Sequence, residues 1–262
     1  MAGLVLVTGG TGMIGRHLVR RLREADANVR VLSRSHHKSL DGVTYAKGDL
    51  ETGDGIDAAM TGVETVVHCA GSSKGDDIKA QHLVEAAVRA GVQHLVYISV
   101  VGADRIPVVS GVDRGMFSYF AAKLAGEHLI AQSGIPWTIL RATQTHDLML
   151  IVTQAMGKMP VVPLPSGFRI QPVEAAEVGD RLAELALGSP QGLVPDLAGP
   201  KVYKAKELLR GYLRASGKHR MTMPLHLPGR GARAFRAGAN LNPDRAVGQR
   251  TWEEFLEERI PA

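Results

Sequence analysis

The feature that most restricts what this chain can become is a glycine-rich turn. It reads Thr8-Gly9-Gly10-Thr11-Gly12-Met13-Ile14-Gly15 and follows directly on the apolar run Leu4-Val5-Leu6-Val7. A strand must end and a helix must begin within these few residues. Gly9 allows the tight turn out of the strand. Gly12 lets the backbone approach a pyrophosphate, and Gly15 lets the helix pack close to the sheet. The first N–H groups of that helix, with their partial positive charge, then face the phosphates. Gly9, Thr11, Gly12, Met13, Ile14 and Gly15 are therefore the first cofactor-binding candidates. The chain holds 30 glycines, so the pattern alone is common. Its position between a strand and a helix gives it meaning.

The periodicity around the turn supports this setting. Strands are expected at Leu4–Val7, Val29–Leu32, Val43–Ala46, Thr65–His68, His94–Ile98 and Thr138–Arg141. They are short and rich in Val, Ile and Leu, as when both faces of a sheet are covered. Helices are expected at Met13–Ala25, Ile56–Met60, Ile78–Ala90 and Phe117–Gln132. Repeated βα units of this kind imply a parallel sheet. Beyond residue 145 the rhythm breaks. Helical patterns cover His146–Met159, Val173–Leu187, Lys204–Ser216 and Trp252–Arg259, while prolines interrupt 160–165 and Met223–Gly231 is rich in Pro and Gly. The expected fold class is α/β, a Rossmann-type doubly wound parallel sheet with a smaller C-terminal substrate lobe. Residues 1–145 form the dinucleotide-binding core and residues 146–262 the lobe, which is not an independent domain.

The end of the second strand selects the cofactor. An acid there bonds the ribose 2′-hydroxyl of NAD. This chain has Val31-Leu32-Ser33-Arg34-Ser35 and no acid. Arg34 can pair with a 2′-phosphate, so the expected cofactor is NADP(H). Ser33, Ser35, His36, His37 and Lys38 add donors and positive potential, and Arg16 is a second phosphate candidate. Gly48-Asp49-Leu50 follows the third strand; Asp49 either accepts from an adenine amino group or caps a turn. His68-Cys69-Ala70-Gly71 follows the fourth, where small residues let the backbone pass close to the cofactor. Cys69 reads as a small hydrophobe rather than a nucleophile.

Composition removes several classes. A single cysteine excludes a disulfide framework and a multi-cysteine zinc site and fits a cytoplasmic protein. No signal peptide and no membrane-length apolar run is read, so no membrane partner is expected. The net charge of +5 is uneven: residues 201–250 hold twelve basic and two acidic side chains. No helix-turn-helix, zinc or aromatic-stacking module accompanies that charge, so nucleic acid is not the expected partner.

Several segments together resemble the short-chain dehydrogenase/reductase superfamily, and within it the atypical NmrA-like, NAD(P)H-binding branch. They are the Gly9–Gly15 loop, Arg34, Gly48-Asp49-Leu50, His68-Cys69-Ala70-Gly71, Ile98–Asp104, Tyr119-Phe120-Ala121-Ala122-Lys123 and Pro136–Thr143. The likeness runs in order through about the first 185 residues. It implies that Tyr119 exchanges a proton with the substrate oxygen, and that Lys123 binds the nicotinamide ribose and tunes Tyr119. Ser99 carries the hydroxyl at the end of the fifth strand, but the positions that usually hold the catalytic hydroxyl match Val100 and Val101. The resemblance thus implies an NADPH-dependent oxidoreductase acting on a small quinone, aromatic or carbonyl compound. The alternative is a non-catalytic NADP(H)-binding redox sensor. Thr143, His146 and Met149, with Gln144, Met156 and Met159, are candidates to line a substrate pocket. Arg141 either holds a substrate carbonyl or pairs with an acid. The chain is expected to be a monomer or homodimer.

Overall fold

A computed structural model describes residues 3–39, 42–71 and 75–260. Its strands are β1 Leu4–Thr8, β2 Val29–Ser33, β3 Val43–Lys47, β4 Val63–His68, β5 His94–Val100, β6 Trp137–Ala142, β7 Val161–Pro165, β8 Arg169–Ile170, β9 Gly192–Leu193, β10 Tyr203–Lys204 and β11 Met221–Leu225. Its helices are α1 Gly15–Glu24, α2 Ile56–Met60, α3 Asp76–Ala90, α4 Gly111–Ala131, α5 His146–Met156, α6 Ala175–Leu187, α7 Ala205–Ala215, α8 Arg230–Ala237 and α9 Trp252–Arg259. The chain divides into two compact units. Unit 1 holds Met1–Ser99, Ala121–Arg141 and Ala176–Pro195, and unit 2 holds Val100–Phe120, Ala142–Ala175 and Asp196–Ala262. Segments from both sides of residue 145 contribute to each.

Unit 1 is built on a seven-stranded sheet of order β3-β2-β1-β4-β5-β6-β9. β1 pairs in parallel with β2 on one side and β4 on the other. The strand order therefore reverses at β1 and β4, the place where α/β sheets bind ligands beyond their carboxyl ends. Leu6, Val66, Leu95 and Tyr97 point to one face and join Ile56, Met60, Leu83 and Ile130 from α2, α3 and α4 in one buried cluster. Their neighbours Val5, Val7, Val67 and Val96 are equally buried on the other face. That two-sided burial explains why the strands read as continuous apolar runs. α6 lies close on α1: a Cβ at Gly179 would stand 2.7 Å from His17 Cβ and 2.8 Å from Leu18 N.

Unit 2 has two small sheets, β8 with β10 antiparallel and β7 with β11 parallel. Its main core packs Trp252 and Phe255 of α9 against Leu208, Leu209 and Tyr212 of α7. A second aromatic group gathers Phe117, Phe168 and Phe235, with Phe168 and Phe235 stacked at 4.6 Å between ring centroids. The sequence pattern did not reveal β11 or α8. Three prolines mask the β7–β11 pair, yet Pro163 and Pro165 of β7 register with Met223 and Leu225, and Pro224 with Leu164. The start of α8 is held from afar, by Gly231 N donating to Asp113 at 2.9 Å. α4 begins six residues before the expected Phe117. Ser110 and Asp113 cap it reciprocally, each backbone N–H donating to the other's side chain at 3.1 Å.

Candidate functional site

The turn after β1 shows what its glycines do. Gly9 sits at φ +68°, and a Cβ there would lie 2.7 Å from Ala70 N. Only glycine lets β1 end so close to the backbone leaving β4. Gly15 has a related role, and one that differs from the sequence reading. Its Cβ would meet Gly9 O at 2.1 Å, so the helix start closes on the turn itself rather than on the sheet. Gly10 is the residue against the sheet, with Val31 Cγ1 2.9 Å from an added Cβ. Gly12 is exposed, and an added Cβ would meet only Gly9 O at 3.1 Å. No other atom outside its chain neighbours would lie within 4 Å of that Cβ.

The helix start behind this turn is electrically bare. α1 has no side-chain cap and no acid in its first turn. Gly12 N donates to Gly9 O at 2.9 Å. The N–H groups of Thr11, Met13, Ile14 and Gly15 find no backbone acceptor among the described residues. Thr11 and Met13 are exposed. Unsatisfied amides at a helix N-terminus form an anion site. An exposed Gly12, free amides and the absence of an acid together fit a dinucleotide diphosphate.

The ends of β2 and β3 lie on the same sheet. Arg34 is exposed and makes no hydrogen bond or ion pair with the described residues. Ser33 is occupied locally: its Oγ accepts from Ser35 N at 3.2 Å and lies 3.0 Å from His37 Nε2. Arg16 Nε donates to the neighbouring His17 ring at 3.2 Å. Asp49 Oδ1 accepts from Glu51 N at 2.8 Å, so this carboxylate caps a turn. Leu50 is buried in the sheet core.

The segment after β4 covers a buried charge cluster. Thr8 Oγ1 accepts from Ala70 N at 3.3 Å and lies 2.7 Å from His68 Nδ1, joining the ends of β1 and β4. His68 stacks on Tyr97, and the Lys123 ammonium sits 4.8 Å from the Tyr97 ring centroid. Lys123 Nζ donates to Ile98 O at 3.2 Å and pairs with Asp76 at 3.4 Å, both side chains almost fully buried. Burial lowers the Lys123 pKa, and the Asp76 charge opposes that shift. Burial, then the charges of Lys123 and Lys79, pushes His68 down to about 3, so the ring stays neutral. Burial pushes the Cys69 thiol up to about 12 against the pull of Lys123, which leaves negligible thiolate at neutral pH. A Cβ on Gly71 would stand 3.3 Å from Asp76 Oδ2 and 3.5 Å from Lys123 Nζ. The exposed Gly71 backbone thus lies directly over the ammonium.

Other expected residues fall elsewhere. Ser99 is buried, and its hydroxyl donates to Glu127. Glu127 also accepts both arms of Arg141, at 2.9 and 2.6 Å. This settles the choice left open for Arg141: it pairs with an acid. It also ties Ser99 to α4. Val100 and Val101 are buried. Tyr119 is partly exposed and lies on α4, four residues before Lys123. In unit 2, Thr143 Oγ1 accepts from Gly199 N at 3.2 Å. His146 and Met149, expected to line a pocket, are core residues. His146 is fully buried, 5.1 Å from the Phe255 ring and 3.6 Å from Glu174 Oε2. Met149 packs in the Trp252 cluster, and Met156 and Met159 lie against it. A helix with apolar residues on one side puts its methionines into a core before any ligand does.

Sequence reasoning missed Asp76 and Glu127. Asp76 looks like an ordinary acid at a helix start. Glu127 follows Lys123 by one helical turn, a spacing that signals a shared face but not which charges meet. The buried pair makes a test. Asp76→Ala should cost about 3–5 kcal/mol by removing the carboxylate that faces the buried ammonium. Adding Lys123→Met should restore much of that loss. Chemical denaturation of the two single variants and the double variant measures this; additive losses would contradict the pairing.

A family model described as NAD(P)H-binding matches residues 9–160. The NAD(P)H azoreductase of Xenophilus azovorans is 27% identical over 223 residues, covering 82% of this chain and 74% of that one. The crystal structure of an NADPH-dependent quinone oxidoreductase from Escherichia coli, complexed with NADPH, superposes with a TM-score of 0.80 at 20% identity, covering 97% of this chain and 99% of that one. The triphenylmethane reductase of a Citrobacter species gives a TM-score of 0.76 at 18% identity, covering 98% and 99%. The match spans the glycine turn, Arg34, the Gly71 segment and Lys123, and the chain belongs to the NAD(P)H-binding family.

Proposed function

We propose that this protein is an NADPH-dependent reductase of a small quinone, aromatic or carbonyl compound. The observation that carries the reading is the uncapped start of α1, with free amides beside the exposed Gly12. Such a site takes a diphosphate. Arg34, exposed at the end of β2 and without an acidic partner, supports the phosphorylated dinucleotide over NADH. The names of the azoreductase and quinone oxidoreductase relatives support reduction.

Bound NADPH supplies the hydride that the acceptor takes up. The residues do the rest. The amides of the β1–α1 turn hold the diphosphate, and Arg34 holds the 2′-phosphate. Lys123, beneath the Gly71 backbone, offers an ammonium to a ribose hydroxyl. Tyr119, one helical turn earlier on α4, gives the proton that completes reduction. Ser99 takes no part in this step, since its hydroxyl serves Glu127. The lack of a free hydroxyl at Ser99, Val100 and Val101 favours acceptors that are easily reduced, such as quinones, over plain carbonyls. The same lack supports the second reading, a sensor that binds both redox forms without turnover.

NADPH oxidation with a panel of quinones separates these. Tyr119→Phe should lower kcat by about 10²-fold or more while leaving the NADPH Kd unchanged. Full activity in that variant removes Tyr119 from the mechanism. Tight binding of NADP⁺ and NADPH by the unmodified protein with no turnover favours the sensor. Arg34→Asp should weaken NADPH by about 10- to 100-fold, the worth of a charged hydrogen bond, and turn preference toward NADH. Equal affinity of the unmodified protein for NADPH and NADH contradicts the role of Arg34.

A further inference from the structure

Unit 2 contains a cavity of about 380 Å³ that uses none of the residues assigned above. Its walls come from the ends of β7 and β10, the turn into β8, the start of α7, and β11. Leu164, Pro165, Phe168 and Pro224 make much of it apolar. Leu164 and Phe168 are themselves firmly packed, at 6% and 9% exposure, so this floor is rigid. Three cations stand around it: Arg169, Lys204 and Lys206, all exposed. No acid lines the cavity. None of the three is ion-paired among the described residues. The nearby Glu207 is engaged in capping, accepting from Lys204 N at 2.8 Å. Gly238, at φ +91°, lies beside the guanidinium, an added Cβ there standing 3.1 Å from Arg169 Nη2.

We propose that this cavity binds an amphipathic organic anion. Its apolar body rests on Leu164 and Phe168, and its carboxylate or phosphate head lies among Arg169, Lys204 and Lys206. The volume suits a body of small-ligand size. Three like charges gathered without an acid repel one another, and an anion relieves that repulsion. The guanidinium can hold a carboxylate or phosphate through two parallel bonds. A neutral ligand would leave the cations uncompensated. A small inorganic anion would leave the apolar floor wet. Both halves of the site are used only by a molecule with both characters.

Calorimetry with monomeric decanoate, decanol and inorganic phosphate tests the proposal. Decanoate should bind saturably, with decanol and phosphate each at least about tenfold weaker. The double substitution Arg169→Gln with Lys206→Gln should weaken decanoate at least about tenfold. Thr222→Trp, which fills the cavity and leaves the cations in place, should abolish binding. In both proteins the affinity for NADPH should stay unchanged, which shows that they fold and separates this site from the dinucleotide site. Decanol binding as tightly as decanoate overturns the proposal, as does decanoate affinity unchanged in both altered proteins. Retention on phosphatidylglycerol vesicles with no binding of free decanoate overturns it too, because it would mark a membrane-surface patch rather than a ligand cavity.

Discussion

The close approach of two backbones, Gly9 at the end of β1 and Cys69-Ala70 at the end of β4, is the constraint on which the rest depends. With 2.7 Å between a would-be Gly9 Cβ and Ala70 N, no other residue type fits without moving a strand. That contact sits where the sheet order reverses, so the turn after β1 and the segment after β4 are pressed together there. Thr8 strengthens the junction through its side-chain bonds to Ala70 and His68. The turn also brings α1 in with its first amides unspent. A side-chain cap or an acid in the first turn would have stabilised the helix by about 0.5–2 kcal/mol, and both are absent. Local stability is given up where an external anion can restore it.

The second constraint is the buried ammonium of Lys123. A charge out of water must be paired, and Asp76, Ile98 O and the Tyr97 ring surround it. These partners come from α3 and β5, so the ion pair also fixes how α4 lies on the sheet. Glu127, one turn further along α4, repeats the device with Ser99 and Arg141. One helix is thus anchored twice by buried polar groups. Gly71 lies close against this pair, an added Cβ there coming 3.3 Å from Asp76 Oδ2 and 3.5 Å from Lys123 Nζ. The field of Lys123 reaches further still, since it helps keep His68 neutral and opposes the rise in the Cys69 pKa.

The sheet was legible in the sequence because strands buried on both faces leave an unbroken apolar record. All six expected strands lie within the observed ones, and α2 and α9 match their expected limits. The glycine turn was legible because backbone geometry admits few residues there. What could not be read rests on distant partners. The start of α8 depends on Asp113, 118 residues away, and β11 depends on a proline-bearing strand that no local rule favours. Ser99 looked catalytic because its hydroxyl stands at the right strand end; only the structure shows that Glu127 takes it. His146 and Met149 looked like pocket residues because they follow β6, yet the aromatic side chains of α9 enclose them in a core.

Gly12 offers the most direct test of the account, because an added Cβ there meets one atom of the folded chain, Gly9 O at 3.1 Å, and otherwise points where the diphosphate is expected. Calorimetric titration with NADP⁺ of the unmodified protein and of Gly12→Val should give saturable heat in the first. The second should lose about 100-fold or more in affinity, near 3 kcal/mol, while its circular dichroism stays that of the folded protein. Unchanged affinity in Gly12→Val, or no heat with any phosphorylated dinucleotide in the unmodified protein, would contradict it.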